Sequence, residues 1–287
     1  MRSLLFVPAD SEKKRTKALD TQADGIILDL EDSVAESAKA DARADTAGFL
    51  STGDRNGKAI VVRVNPLDGD FCEADVAAIV PARPDYLMLP KATPEGVQDL
   101  SDMMATHEAK AGLDAGTIGV LTVSTETPAA LFAMDGYVHA PDRLAGLSWG
   151  AEDLAAELGA TSNRRADGTY TDIFRLARSL TLAAARAAGV LAIDGVYTDF
   201  RNEDGLRAEL ADAVRDGFDT KLAIHPAQVP VINEALTPSP DEIAHAKAIV
   251  DAFDAAPDAG VLSLDGKMLD RPHLLQARRV LMRVSQP

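Results

Sequence analysis

Eight short apolar runs recur along the chain, at 3–8, 25–30, 59–65, 86–91, 118–126, 144–150, 190–196 and 221–226. Stretches with helical spacing separate them, among them 34–50, 94–110, 128–138, 173–188 and 203–215. Pro94 and Pro128 stand where a first helical turn tolerates proline, each preceded by a threonine that can cap it. Strands alternating with helices require a parallel sheet covered on its faces, and eight such units point to a closed barrel. The expected class is therefore α/β, a (β/α)8 TIM barrel, with an open doubly wound sheet as the runner-up. No Gly-x-Gly-x-x-Gly follows any run, which weakens a dinucleotide-binding reading. The pattern assigns 1–236 to the barrel. Residues 237–287 form a C-terminal helical extension, with a helix over 241–253, a turn at 257–260 and a last helix from Pro272. That tail is too short to fold alone and is expected to pack on its own barrel or on a neighbouring subunit.

Composition narrows the function classes. A net charge of −16 opposes general binding to nucleic acid or to an anionic membrane, both of which need a basic face. Cys72 is the single cysteine, so no disulfide framework exists and a reducing cytoplasm is the natural compartment. The first residues lack the long apolar region of a signal peptide, and no stretch approaches a membrane span.

The ends of the runs carry the chemistry. In such barrels the site lies at the C-terminal ends of the strands. Those ends read Phe6, then Asp29, Glu31 and Asp32, then Arg63 and Asn65, Lys91, Glu126, Trp149 through Asp153, Asp194 through Asp199, and His225. One acidic turn is a solvated loop; a whole rim of polar ends around apolar strands reads as an active-site mouth. A mouth this acidic needs compensation, and a hard divalent cation on oxygen ligands supplies it. Spacing alone leaves a second reading open, in which Glu126 and Asp153 only complement helix dipoles. No zinc-like Cys/His grouping occurs. Just past the first run comes Lys13-Lys14-Arg15-Thr16-Lys17, a basic patch in a very acidic chain. Lys13 and Lys17 share one helix face, where they would be either a solvated face or a landing site for phosphates.

The segments RSLLFVPAD, ILDLEDSV, VVRVNP, LMLPKA, TVSTETP, GLSWGAEDL, IHPAQV and GKMLDRP, in this order, resemble the citrate lyase β-subunit / HpcH–HpaI aldolase superfamily. Within it the chain is most similar to lyases of citryl-, malyl- and citramalyl-CoA. The resemblance implies a Mg²⁺-dependent barrel, with Mn²⁺ as the alternative ion, that cleaves a 3-hydroxyacyl-CoA thioester to acetyl-CoA and an oxo acid. It implies Glu126 and Asp153 as metal ligands, and Arg63 as the group that binds substrate and stabilises the enolate oxygen. Phe6, Lys13, Lys17, Glu126 and His225 would contact the CoA-bearing substrate. Asp29, Glu31 and Asp32 would stand behind the metal through waters and hydrogen bonds to Arg63. Asp270 matches the family's catalytic aspartate, often delivered by a neighbouring subunit, which implies a homo-oligomer, commonly a trimer.

Some positions depart from common family patterns. Pro8-Ala9 stands where Pro-Gly is frequent, Phe6 replaces the tyrosine of some members, and citrate lyase β-subunits often carry Ile-Asn-Pro in place of Ile224-His225-Pro226, which the malyl- and citramalyl-CoA lyases tend to share. The last tilts the reading from a complex-bound citrate lyase subunit towards a stand-alone enzyme on free CoA thioesters. Alternatives are a malyl-CoA thioesterase on the same scaffold, a non-catalytic CoA-ester-binding barrel, and an aldolase acting on free acids. If the basic patch receives phosphates, replacing Lys13 and Lys17 together by alanine raises KM for a CoA substrate, and more at low salt than at high. Steady-state kinetics at two ionic strengths measures this; equal KM at both returns the patch to a solvated helix face.

Overall fold

In the computed structural model, which describes residues 1–264 and 266–285, the eight runs become parallel strands of one closed barrel in sequential order. They are β1 (Ser3–Pro8), β2 (Gly25–Asp29), β3 (Ala59–Arg63), β4 (Tyr86–Leu89), β5 (Gly119–Val123), β6 (Leu144–Ser148), β7 (Leu191–Asp194) and β8 (Thr220–Ala223). β1 closes the ring by pairing with β8, Leu4 opposite Leu222. The helices α1 (Glu12–Leu19), α2 (Lys39–Thr52), α3 (Cys72–Ile79), α4 (Pro94–Lys110), α5 (Pro128–Phe132), α6 (Ala151–Leu158), α7 (Asp172–Ala188), α8 (Glu203–Asp216) and α9 (Gln228–Leu236) are interleaved with the strands. No helix among the described residues is long and apolar enough to cross a membrane.

The strands are shorter than the apolar runs because each run also contains the polar turn after its strand. The expected helix over 128–138 is instead one α-helical turn, α5, followed by a 3-10 segment, Met134–His139. Gly136 lies there against the Pro94 ring, where a side-chain carbon would come within 2.8 Å. The short helices α3, α6 and α9 were not singled out by periodicity, since eight or nine residues give barely two turns of pattern.

Alternation along the strands builds two apolar layers. Leu4, Ile27, Val61, Met88, Leu121, Val123, Ile193 and Leu222 fill the barrel interior. Their neighbours, such as Leu5, Ile26, Val62 and Leu87, face outward into a larger core under the helices. This period decides the mouth. Phe6, Asp29 and Arg63 each lie two residues beyond an interior position, on the same face one layer higher. The register puts Asp29 opposite both Pro8 and Arg63.

Beyond α9 the chain forms α10 (Pro240–Asp254), a hairpin of β9 (Val261–Leu264) and β10 (Lys267–Asp270), and α11 (Arg271–Ser285). The extension is thus helical with an antiparallel hairpin that the sequence pattern did not disclose; its last two positions, 286 and 287, lie outside the described residues. It has its own small core of Ala246, Ile249, Phe253, Leu269, Leu274 and Ala277. It meets the barrel at the N-terminal ends of the strands. There the Arg283 guanidinium donates to the Phe218 carbonyl at 3.1 Å, and Ile243 and Met282 line a cavity of about 600 Å³ with Met1, Arg2 and Val190.

One buried ion pair ties the outer layer to the barrel floor. Glu108, at the end of α4, is fully buried and accepts from both terminal nitrogens of Arg143 at 3.1 and 2.9 Å. The backbone N–H groups of Gly116 and Ile118, just ahead of β5, also donate to it. Burial alone would raise the Glu108 carboxyl, but Arg143 and these N–H groups hold it below its ordinary value. A depressed carboxyl stabilises the fold at neutral pH, and that contribution is lost as pH falls through its folded pKa. Glu108→Ala leaves Arg143 buried without its partner and is expected to cost about 3–5 kcal/mol in urea unfolding at pH 7, the difference narrowing in acid. An unchanged midpoint would remove the pair from the framework.

Candidate active site

The mouth is built on Arg63. Its Nε and Nη2 donate to the two oxygens of Asp29 at 2.7 and 2.8 Å, a bidentate pair. Its Nη1 stands 2.7 Å from Glu31 Oε2, and Asp32 lies 3.8 Å from Nη2. The ring of Phe6 lies under the guanidinium, 5.0 Å from centroid to carbon. Asp29 also receives the backbone N–H groups of Glu31 and Ser33, so the acidic turn after β2 wraps around its carboxylate. Burial would raise the Asp29 carboxyl, but the Arg63 hydrogen bonds win and hold it below its usual value. Glu31 is as buried, yet its Oε2 lies off the N–H directions of Arg63 and has no hydrogen-bond partner among the described residues. Its carboxyl is accordingly raised, by burial first and by the nearby Asp32 charge, against the pull of Arg63 and Lys91.

Across the mouth, Lys91 follows β4 in the left-handed region with φ of +48°. A side-chain-bearing residue is held there at a cost of about 1–3 kcal/mol, which marks a position fixed by its surroundings. That conformation aims the Lys91 backbone N–H at Glu126 Oε2. Its ammonium reaches Glu31 at 3.1 Å and Asp153 at 3.6 Å. Burial would lower the Lys91 ammonium, and Glu31 more than reverses this. Behind the turn, Lys39 donates to the Leu30 and Glu31 carbonyls and to Asn65 Oδ1, and so braces the loop from below.

Glu126, after β5, is buried, and its Oε1 has no hydrogen-bond partner among the described residues. Burial pushes its carboxyl up to about 8 against the Lys91 N–H, with the charges of Asp153 and Glu31 adding to the rise. Asp153 sits in the first turn of α6, a third exposed, on the same ammonium. Five carboxylates (Asp29, Glu31, Asp32, Glu126 and Asp153) thus surround two cations, Arg63 and Lys91. Such a set of hard oxygens with a charge deficit suits a divalent cation better than a neutral ligand. Gly150 makes the closeness possible: a side-chain carbon there would stand 2.8 Å from Glu126 Cγ.

The structure therefore brings together Phe6, Asp29, Glu31, Asp32, Arg63, Glu126 and Asp153. His225 lies elsewhere on the rim, stacked on Phe200 at 4.5 Å. Lys13 and Lys17 are exposed on α1, along a shallow depression with Glu12, Thr16 and Asp20. Asp270 meets His273 in its own unit, with Oδ1 2.5 Å from Nδ1. Asp194 was expected on the open rim. It is instead fully buried and faces outward to the helices, paired with Lys221 at 3.0 Å and Arg178 at 3.0 Å. The strand period explains this, since Ile193 before it takes the interior position. Lys91 stands among the polar strand ends in the sequence, but nothing in Pro90-Lys91-Ala92 signals a left-handed backbone, because no glycine or asparagine stands there.

A closed eight-stranded α/β barrel whose strand ends gather a carboxylate pair, an anchored arginine and a lysine is an enzyme-type scaffold with an acidic, oxygen-donor mouth. The chain belongs to the HpcH/HpaI aldolase/citrate lyase family, whose model matches residues 2–226. A (3S)-malyl-CoA thioesterase of Cereibacter sphaeroides is 36% identical over 98% of this chain and 93% of its own length. The citrate lyase subunit beta of Escherichia coli is also 36% identical, over 98% of this chain and 92% of its own. CitE of Mycobacterium tuberculosis, in complex with magnesium, acetoacetate and coenzyme A, superposes with a TM-score of 0.78 at 34% identity, covering 99% of this chain and 98% of that one.

The Gly150 contact is directly testable. Gly150→Ala places a methyl group against Glu126 while its backbone, at φ of −118°, stays unstrained. The expected loss is about 1–3 kcal/mol from overpacking, read as a lower midpoint in thermal or urea unfolding. A wild-type midpoint would mean that the β6–α6 turn moves away freely.

Proposed function

We propose that this chain is a Mg²⁺-dependent enzyme that cleaves the carbon–carbon bond of a 3-hydroxyacyl-CoA thioester, giving acetyl-CoA and an oxo acid. The observation that carries the reading is the Glu126–Asp153 pair, with Arg63 anchored beside it. It is supported by the similarity to a CitE structure that contains magnesium, acetoacetate and coenzyme A. Glu126 and Asp153 would hold the metal. When bound, Mg²⁺ or Mn²⁺ supplies Lewis-acid polarisation of the substrate's hydroxyl and carboxylate oxygens. Burial makes the free Glu126 carboxyl reluctant to ionise, and a cation at its open oxygen would reverse that balance.

In this reading a carboxylate base, Asp270 of a second copy in a homo-oligomer, removes the hydroxyl proton. The alkoxide electrons form the carbonyl of the oxo acid, the carbon–carbon bond breaks, and its electron pair passes to the thioester as an enolate. Arg63 is fixed by Asp29 and Glu31 before substrate arrives, so its remaining N–H groups can meet the developing oxygen without reorganising. Protonation at carbon then gives acetyl-CoA. Phe6 would pack on the acyl end, His225 on another part of the substrate, and Lys13 with Lys17 on the CoA phosphates.

A second reading, hydrolysis of malyl-CoA, is favoured by the names of relatives that cover 98% of the chain. Incubation of the protein and Mg²⁺ with malyl-, citramalyl- and citryl-CoA, with products identified by mass, separates the two. Acetyl-CoA plus an oxo acid, lost with EDTA, supports the lyase; free hydroxy acid plus CoA makes it a thioesterase. Asp270→Ala is expected to abolish turnover while CoA-ester binding persists. Co-expression of that variant with Glu126→Ala should recover part of the activity, because mixed oligomers contain one intact composite site. No recovery, with mixed oligomers demonstrated, would exclude Asp270 acting between subunits.

A further inference from the structure

The buried charges between barrel and helices have no place in the reaction just described, yet one of them leads to the mouth. Asp194, at the end of β7, accepts the indole N–H of Trp149 at 2.8 Å. Trp149 is the only tryptophan in the sequence, is 2% exposed, and immediately precedes Gly150. Asp194 is itself held by Lys221 and Arg178, and Lys221 is fully buried, with Glu209 at 2.8 Å as its other carboxylate. A carboxylate so fully paired cannot swing, so it offers the indole a rigid acceptor.

The backbones on either side are in forced proximity. A side-chain carbon at Gly195 would lie 3.0 Å from the Trp149 carbonyl and 3.1 Å from its Nε1, and one at Gly150 would lie 2.8 Å from Glu126 Cγ. Glycine at both positions lets three successive strand ends close up on one another. The Gly150 N–H also donates to Thr125 Oγ1, which ties the turn back to the residue before Glu126. α6 begins one residue later and carries Asp153.

We infer that the Trp149–Asp194 hydrogen bond is a positioning clamp: it fixes the β6–α6 turn and with it the placement of Asp153 relative to Glu126. In this role Trp149 and Asp194 are positioning residues and not ligands. The inference rests on the reading of Glu126 and Asp153 as metal ligands. It adds that their affinity is set from the outer layer of the barrel, through the Asp194–Lys221–Arg178 cluster. Groups that orient ligands in this way typically change metal affinity by 10–100-fold when removed.

Trp149→Phe tests it. Phenylalanine keeps an aromatic ring beside Tyr170, whose centroid is 4.9 Å away at 72°, and loses the N–H together with the second ring of the indole. The probe is Mn²⁺, with free ion counted by electron paramagnetic resonance in parallel with thermal unfolding. The expected result is Mn²⁺ binding weakened about tenfold or more at a temperature where both proteins are fully folded. Equal affinity in the two proteins overturns the clamp, as does a lower melting temperature with unchanged affinity, which is a structural role alone. If wild type itself binds no Mn²⁺, both the clamp and the reading of the mouth as a metal site fall. Should the variant not fold, the wild type supplies the decision through its single tryptophan. Saturable change of its emission on adding Mg²⁺, with a midpoint tracking a competing Mn²⁺ titration, supports the coupling; flat emission at saturating metal overturns it.

Discussion

The guanidinium of Arg63 stands in the uppermost interior layer of the barrel, bound through two N–H groups to Asp29 and 2.7 Å from Glu31. Without it those buried carboxylates would face each other in a poorly solvated pocket, at a cost of several kcal/mol for each unpaired charge. With it, one carboxyl is depressed and the other is left raised, with an oxygen that has no hydrogen bond among the described residues. The residual imbalance is passed across the mouth to Lys91 and from there to Glu126 and Asp153. The acidic character of the mouth is therefore a single coupled system, and the carboxylates at its open side are those left least compensated.

The barrel keeps two charge systems apart by strand period alone. Positions that continue the interior series, Asp29 and Arg63, converge on the axis beneath the open mouth. Positions one residue out of phase, Asp194 and Lys221, face the helices and are fully buried. The same residue types consequently do different work. On the axis, incomplete pairing leaves oxygens open to a ligand. Under the helices, Arg178, Lys221 and Glu209 complete the pairing around Asp194 and give a rigid support.

Much of this was legible in the chain. The eight apolar runs, their polar ends and the alternation with helices lead to a closed barrel, and the motifs from RSLLFVPAD to IHPAQV lead to the HpcH/HpaI aldolase/citrate lyase family. That Asp29, Glu31, Arg63, Glu126 and Asp153 stand at or just after strand ends was legible too. The β9–β10 hairpin was not, since four-residue strands in a segment rich in glycine and charge leave no period to read. The burial of Asp194 was hidden for another reason. A carboxylate at a strand end looks the same in sequence whether it lies in or out of phase with the interior residues.

Sequence by itself determined the order of strands and helices, the acidic balance of the chain and the residue types at the strand ends, because these depend on local pattern and covalent neighbours. Tertiary structure decided which of those ends converge and how each charge is compensated. Arg63 takes Asp29 from the neighbouring strand, Lys91 adopts a left-handed backbone to serve Glu126, and Trp149 meets Asp194 across 45 residues of chain. Pairing, burial and strain are set by distances between segments remote in sequence. Those distances exist only once the barrel has closed.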